Sequence, residues 1–497
     1  MTFKIKKISK RDDRPKRPKL FRHSDRRLTI SIPLVGFLAL IIFLSIGIVK
    51  AFKSIDLSVF LKVAGEDLQQ DGYGHTNFLL LGNGGANHDG GDLTDTIIVA
   101  SLDNENKLIT LLSVPRDLYV KDPTVGNSRI NEVFYNANKH FGSSAQGLDY
   151  MKSKVEEIVG IPIHYWVKID FKGFKELIDA LGGIDVEVAN AIYDPYYPKD
   201  GTYLYETFSL SAGQHHFDGE TALKYARSRK TTSDFDRADR QQHVIFAIKQ
   251  KALQTEVLLS TEKITNILNT LKANIETNIK VKEILTLGSI AKDFSPEQIS
   301  NRLIHDDPTQ CGGFLYTPSM DAYGGMYVLI PAGGFEMLHL YSDNTFNNPE
   351  IGKENIKIHI LNGTKKGGVA GETKQVLKRF CFNITRFGNA PKQDLQTTTY
   401  YYRQKTDAEG NPIESRPKSL DFLQKLIPGK ESTEIPQEYI ENGFIGSADV
   451  IIELGADYVN SPNYMEDPFY SLPIYAPTPA TPAAPTTPVT TPTTNAN

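Results

Sequence analysis

The sequence predicts an α/β protein: a three-layer α-β-α domain with a mixed sheet, then a second, smaller α/β domain, with one transmembrane helix ahead of both. Three observations carry this expectation. Leu28 to Val49 is a run of 22 residues without a charge, about 33 Å long as a helix and so long enough to cross a bilayer. From residue 77 onward, short apolar runs of strand type alternate with segments of helical spacing, the order expected of packed α and β layers. Finally, 40% hydrophobic and 23% charged residues in a chain of 497 can furnish the cores of about three structural units, which excludes a single small module, wholesale disorder and a coiled coil.

The formal net charge of -4 averages two unlike parts. Residues 1–27 hold twelve Lys and Arg against three Asp, a net of +9, which leaves -13 for the other 470 residues. A basic flank beside an apolar span resists translocation, so the arm 1–27 is expected in the cytoplasm, the helix 28–49 in the cell membrane as a single pass, and the chain from about residue 50 outside. Lys50-Ala51-Phe52-Lys53 follows the span where a cleaved signal would have small residues, so the span reads as a retained anchor. The membrane accounts for the basic arm, and no nucleic-acid partner is expected. The two cysteines, Cys311 and Cys381, are too few for a disulfide framework, so the fold is expected to rest on its hydrophobic core.

Residues 50–74 are a polar connector. A predicted strand at Asn77 to Leu81 (NFLLL) opens the first domain, and strands at Thr94 to Leu102 and Lys107 to Val114 follow, joined through the turn residues Asp103-Asn104-Glu105-Asn106. Helical spacing over Leu148 to Val159, a strand run at Ile163 to Ile169, helical spacing over Phe171 to Leu181 and a strand at Ile184 to Val188 come next, with Gly182 and Gly183 ending the second helix. A long helix from near Asp236 and a final strand at Met326 to Ile330 complete a domain over 75–335. Residues 336–354 are read as a linker, polar and breaker-rich from Asn344 to Glu354. The second domain, 355–458, has an alternating strand at Ile356 to Leu361, a helix over Val369 to Phe380 and a strand at Val450 to Leu454. Residues 459–497 form a tail whose last 22 residues include eight Thr, six Pro and five Ala, a composition that builds no core.

The chemistry concentrates in arginines at loop and helix ends. Arg116 follows a predicted strand at once, in Ser113-Val114-Pro115-Arg116-Asp117, and α/β folds bind ligands at the carboxyl ends of strands. Arg227 and Arg229 end a short predicted helix. Arg237, Arg240 and Gln241 then share one face at the start of the long helix. Arginines at a helix start oppose the macrodipole, so a stabilising anion is expected there, and guanidinium forks hold phosphate oxygens in bidentate fashion. A polyphosphate fits the whole set at three loop or helix ends, whereas any single arginine is better explained by pairing with a neighbouring Asp. The loop Leu81 to Thr96 has five glycines for close backbone approach, and Asp89, Asp92 and Asp95 are hard oxygen donors for Mg2+. It is neither a Walker loop nor a dinucleotide fingerprint.

These stretches together resemble the LytR-CpsA-Psr family of cell-envelope proteins: Leu93 to Thr96 (LTDT), Ser113 to Asp117 (SVPRD), Arg129-Ile130-Asn131 (RIN), Val167 to Gly183, Ser211 to Gly219, Ala222 to Arg229 (ALKYARSR) and Asp234 to Gln242 (DFDRADRQQ). Residues 355–458 resemble the LytR carboxyl-terminal domain often attached to it. The resemblance implies a Mg2+-dependent phosphotransferase that moves a glycopolymer from a polyprenyl-diphosphate carrier to peptidoglycan. It implies Asp95 as a metal ligand, with Arg116, Arg227, Arg229 and Asp234 catalytic. The diphosphate would be held by Arg116, Arg129, Arg227, Arg229, Arg237, Arg240 and Gln241. Where family members commonly carry an Asp and an Arg this chain has Gly84 and Leu93, and Asp89 or Asp92 is expected to replace the lost carboxylate. The alternatives are a polyprenyl-diphosphate phosphatase or pyrophosphatase, and a non-catalytic envelope protein holding a lipid-linked or polyanionic ligand.

Overall fold

Six strands build the central sheet in the computed structural model of the chain: β1 (His75–Asn83), β2 (Thr96–Asp103), β3 (Leu108–Ser113), β4 (Tyr165–Asp170), β5 (Ile275–Thr277) and β6 (Ile299–Leu303), in the order β5-β4-β1-β2-β3-β6. The structure describes residues 67–85, 90–199, 202, 204–228, 240, 243–244, 247–248, 250–251, 254, 274–291, 294, 298–349, 351, 354–403, 405–406, 412–413, 416–462 and 464–472. The apolar span 28–49 lies outside these residues, as do Asp89, Arg229, Asp234, Arg237 and Gln241. Among the described residues no helix is long and apolar enough to cross a membrane.

The sheet is mixed, as expected. β1 runs antiparallel to β2 and parallel to β4, β3 antiparallel to β2 and parallel to β6, and β5 antiparallel to β4. All nine residues of β1 are buried, which is why its sequence is a continuous apolar run instead of an alternation. Leu79 and Leu81 enter one core with Val133 and Phe134 of helix α1 (Ile130–Phe141) and Met151 and Val155 of α2 (Ser144–Val159). Phe78 and Leu80 enter the opposite core with Phe174 and Leu177 of α3 (Phe171–Ala180), Leu223 of α4 (Gly219–Arg227) and Leu287 of α5 (Val281–Ala291). The result is three layers.

Asp170 ends β4 and caps α3, its Oδ1 accepting from the Gly173 N–H at 2.7 Å. Gly182 and Gly183 are left-handed (φ 80° and 82°) and turn the chain from α3 into Ile184–Val188, a strand that pairs with Gly213–Phe217 outside the central sheet. A second ribbon, Ile192–Pro198 with Tyr205–Leu210, has no counterpart in the sequence-based expectation.

The second domain carries strands β7 (Lys357–Asn362), β8 (Asn383–Asn389), β9 (Thr399–Tyr402), β10 (Lys430–Ser432) and β11 (Val450–Leu454), in the order β8-β7-β11-β9-β10. The stretch 336–354 differs from the linker expected of it: most of it is helix α6 (Phe335–Asn347), whose Leu338, Tyr341 and Phe346 share one core with Phe314 of the first domain and Ile358 of the second. Polar residues hide this helix in the sequence; at the seam one of them, Asn344, donates from Nδ2 to the Phe380 carbonyl at 3.1 Å.

The seam also uses the cysteines, for which the sequence predicted no role. Cys311 and Cys381 form a disulfide between the loop after β6 and the residue following helix α7 (Val369–Arg379) and Phe380. Beside it Arg379 is 2% exposed; its Nη1 and Nη2 donate to Asp467 Oδ1 and Oδ2, each at 2.8 Å, and its Nε to the Pro308 carbonyl at 2.9 Å. Asp467 and Phe469 are buried, so folded residues continue past 458, where the resemblance ends the second domain, into the stretch expected to be tail. Replacing both cysteines by Ser is expected to cost about 2–4 kcal/mol of unfolding free energy. Chemical denaturation of the full chain reads this, and an unchanged midpoint would contradict a stabilising bridge.

Candidate functional site

Strands β1, β3 and β4 finish, and β2 begins, at the same end of the sheet. Asn83 pairs across with Asp170. On its other side, the register that sets Gly82 opposite Thr96 brings Asp95 next to Asn83. The sheet end thus presents Asp170, Asn83 and Asp95 in a row, where α/β folds place ligands.

Arg116 reaches this row from β3. Val114 keeps β3 paired to β2 for one more residue through its N–H to the Ile97 carbonyl at 2.9 Å, and the Pro115 turn then carries Arg116 back over the sheet. Its Nη1 lies 3.0 Å from Asp95 Oδ1 and its Nε 3.6 Å from Asp117 Oδ2. Asn131 Nδ2 donates to the same Asp95 Oδ1 at 3.3 Å. The Asn131 carbonyl accepts from the Thr94 N–H at 3.0 Å, and the Asn131 N–H donates to the Arg116 carbonyl at 3.3 Å. Three separate motifs, LTDT, SVPRD and RIN, are therefore one hydrogen-bonded unit at the start of α1. The Arg116 side chain stays 42% exposed, so its remaining donors can reach a ligand.

Arg129 is more committed. Its Nη2 lies 2.5 Å from Glu132 Oε1 and its Nη1 3.3 Å from Asp117 Oδ1. Burial opposes its charge, but Glu132 and Asp117 outweigh burial and raise its pKa above the ordinary arginine value. Arg227 comes from the β4 side: its guanidinium sits 4.3 Å from the ring centroid of Phe171, the residue after Asp170, and its Nη1 donates to Tyr197 Oη at 3.2 Å. Arg240 is 6% exposed and donates to the Tyr225 and Ser228 carbonyls at 3.1 and 2.7 Å. Its place is beneath the Arg227 segment, which it braces.

The glycine loop crosses this end closely. Gly85 has φ 81°, and a Cβ there would lie 2.9 Å from Asp170 Oδ2, so the position demands glycine. Leu93 is half-buried and Asp92 exposed. The Oδ1 atoms of Asn83 and Asn131 are buried without a hydrogen-bond partner, an uncommon condition, and both residues neighbour Asp95. Asn83 and Asp170 were not among the residues singled out from the sequence; their place in the site depends on which strands are neighbours.

The loop between Arg116 and Arg129 hangs on Asp122. Its Oδ1 accepts from the N–H groups of Thr124 (2.8 Å) and Val125 (3.0 Å) and from Tyr150 Oη (2.8 Å), and Lys154 Nζ lies 3.1 Å from Oδ2. Burial pushes its pKa up, but these partners prevail and hold it below the ordinary Asp value. A depressed carboxylate stabilises the fold above its unfolded pKa of ~3.9 and loses that contribution as pH falls through the lower folded value. Asp122→Asn is expected to be less stable at neutral pH, with the gap closing on acidification. Urea unfolding of both proteins across that range checks this, and a gap independent of pH would contradict it.

Residues 53–323 match the model of the LytR_cpsA_psr family, and residues 355–458 match a domain described as LytR cell envelope-related transcriptional attenuator. Over 211 residues the chain is 33% identical to the polyisoprenyl-teichoic acid--peptidoglycan teichoic acid transferase TagV of Bacillus subtilis, covering 41% of this chain and 50% of that protein. It is 33% identical over 217 residues to the transferase of the same description, TagU, of Oceanobacillus iheyensis, covering 42% and 61%. The match thus spans about half to three-fifths of these relatives' own length. Of solved structures, that of B. subtilis TagV is 28% identical with a TM-score of 0.39, covering 55% of this chain and 97% of that one. With more than half of its residues in the first family match and the second domain following in order, the chain belongs to the LytR-CpsA-Psr family and carries a LytR-type carboxyl-terminal domain.

Proposed function

We propose that this protein is a membrane-anchored phosphotransferase that transfers a glycopolymer from a polyprenyl-diphosphate carrier to a peptidoglycan hydroxyl on the outer side of the cell membrane. The observation that carries the reading is the unit formed by Arg116, Asp95 and Asn131 at the carboxyl end of the sheet. In the reaction the acceptor oxygen forms a bond to the phosphorus that bears the glycopolymer. The bond from that phosphorus to the bridging oxygen breaks, polyprenyl monophosphate leaves, and the hydroxyl proton passes to a site carboxylate or water.

Phosphoryl transfer of this kind needs positioning and charge neutralisation more than covalent help. Arg116 meets the diphosphate from the β3 side, its orientation fixed beforehand by Asp95. Arg227 meets it from the β4 side, stacked on Phe171 and held by Tyr197. Family motifs assign Arg229, Asp234, Arg237 and Gln241 to the same pocket, with Arg129 at its mouth and Arg240 supporting the Arg227 segment.

Mg2+ is the proposed cofactor, supplying further neutralisation of the diphosphate oxygens when bound. Both described contacts of Asp95 go to Oδ1, and with the unpartnered amide oxygens of Asn83 and Asn131 this gives hard donors of the type it prefers. Among the described residues no group of three His, Cys, Asp or Glu could hold a metal ion; Mg2+ commonly keeps waters and substrate phosphates in its shell and needs no closed protein cage. Asp89 or Asp92 is proposed to stand in for the carboxylate missing at Gly84. Weakened Mg2+ binding in Asp89→Ala or Asp92→Ala is expected, and unchanged binding in both would remove the substitution idea.

The full chain incubated with a polyprenyl-diphosphate glycan, Mg2+ and peptidoglycan fragments tests the function. Coupled product is expected. Glycan monophosphate and polyprenyl monophosphate without coupled product would instead identify hydrolysis of the diphosphate, and binding without turnover the non-catalytic envelope protein that Gly84 and Leu93 favour.

A further inference from the structure

The ribbon Ile192–Pro198/Tyr205–Leu210 is two-faced. Inward it is braced on the segment that carries Arg227: Tyr197 Oη accepts from Arg227 Nη1 at 3.2 Å, Ser228 Oγ donates to Asp194 Oδ2 at 2.9 Å, and Lys224 Nζ lies 2.6 Å from Glu206 Oε1. Outward it bares tyrosines. Tyr193, Tyr196 and Tyr205 are 58%, 56% and 65% exposed, and the rings of Tyr196 and Tyr205 meet edge to face at 6.0 Å. A register shift between Asp194 and Tyr197 sets this pattern, because the extra residue in one strand turns Tyr196 to the same face as Tyr193 while Tyr197 stays inside.

Exposed apolar surface on a braced element beside a reaction centre marks a binding face. Its charge narrows the occupant. Of the charged residues in 192–210, Asp194 and Glu206 are engaged inward by Ser228 and Lys224 and Lys199 is offset in sequence by Asp200, so the ribbon has no net positive charge to draw anionic lipid or a phosphate-rich polymer. The sugar rings of a glycan strand offer C–H faces and hydroxyls, and tyrosine supplies a rigid apolar ring with a wet hydroxyl at little conformational cost. We propose that Tyr193, Tyr196 and Tyr205 form the docking surface for the acceptor, a peptidoglycan glycan strand laid along the ribbon so that one hydroxyl reaches the arginine site. The identity of the acceptor rests on the transferase reading; the binding does not.

The test uses the full chain in phospholipid nanodiscs and soluble peptidoglycan glycan strands freed of other polymers. Changing all three tyrosines to Ser is expected to weaken strand binding about tenfold, near 1.4 kcal/mol, while the Tyr→Phe triple keeps most of it. The melting temperature should be unchanged, since these side chains face solvent. Hydroxyl-radical footprinting of the wild type should show the three tyrosines protected only when strands are added. Equal strand binding by the Ser triple would overturn the proposal, as would protection by the bilayer alone, which would make the ribbon a lipid-facing surface. Binding needs no turnover, so an inactive chain that binds strands through the ribbon would defeat the transferase reading alone. An active chain indifferent to the Ser triple would defeat the ribbon alone.

Discussion

Arg116→Ala is expected to lower glycopolymer transfer by roughly 10²–10³-fold, the usual cost of losing one preorganised donor to a developing charge. The fold should not suffer, because the side chain is well exposed and its partner Asp95 keeps Asn131. Arg116→Lys should recover little, since an ammonium cannot reproduce the fork that meets Asp95 on one side and a phosphate on the other. Asp95→Ala should fall comparably, through loss of the group that orients Arg116 and of a proposed Mg2+ donor. Steady-state transfer rates paired with thermal melts check both variants. Near-normal activity in either would refute the role assigned to it.

Asp467→Ala is expected to destabilise the chain by about 3–5 kcal/mol, because it leaves the Arg379 guanidinium charged, buried and short of two hydrogen bonds. The Phe469 ring, 4.3 Å from that guanidinium, cannot replace a carboxylate. Replacing both partners, Arg379→Met with Asp467→Leu, should restore much of the loss, since well-packed apolar pairs often match a buried ion pair. Denaturant unfolding of the full chain measures all three proteins. A shift within about 0.5 kcal/mol for Asp467→Ala, the range of ordinary surface changes, would show that the pair does not hold the seam.

What could be read in the sequence follows from where information is local. The strands β1, β2, β3 and β11 stand out because they are buried on both faces and have apolar runs to match. The edge strands β5 and β6 are short and only half-buried, so no pattern announces them. Helix α1 has its buried positions Ile130, Val133, Phe134 and Ala137 at helical spacing, yet the polar residues between them conceal it, and no helix was expected there. Helix α6 is hidden the same way, and the Tyr-Pro-rich ribbon resembles a loop.

The site divides similarly. Asp95, Arg116 and Asn131 lie in recognisable motifs, and the structure joins them. Asn83 and Asp170 qualify only through strand adjacency, which no local pattern encodes. The spacing of Arg237, Arg240 and Gln241 places them on one helix face, but spacing does not reveal that Arg240 turns inward to the Tyr225 and Ser228 carbonyls. Nor does a separation of 70 residues between Cys311 and Cys381 reveal a bridge; that depends on how the second domain docks.

The central claim is that the sheet-end arginine site carries out transfer and not hydrolysis or mere binding. Phosphorus NMR of the full chain with a polyprenyl-diphosphate glycan, Mg2+ and peptidoglycan strands tests it most directly. The diphosphate resonances should give way to one phosphodiester and one monophosphate in equal amounts, and Arg116→Ala should suppress both. Two monophosphate products without a phosphodiester, or an unchanged diphosphate, would contradict it.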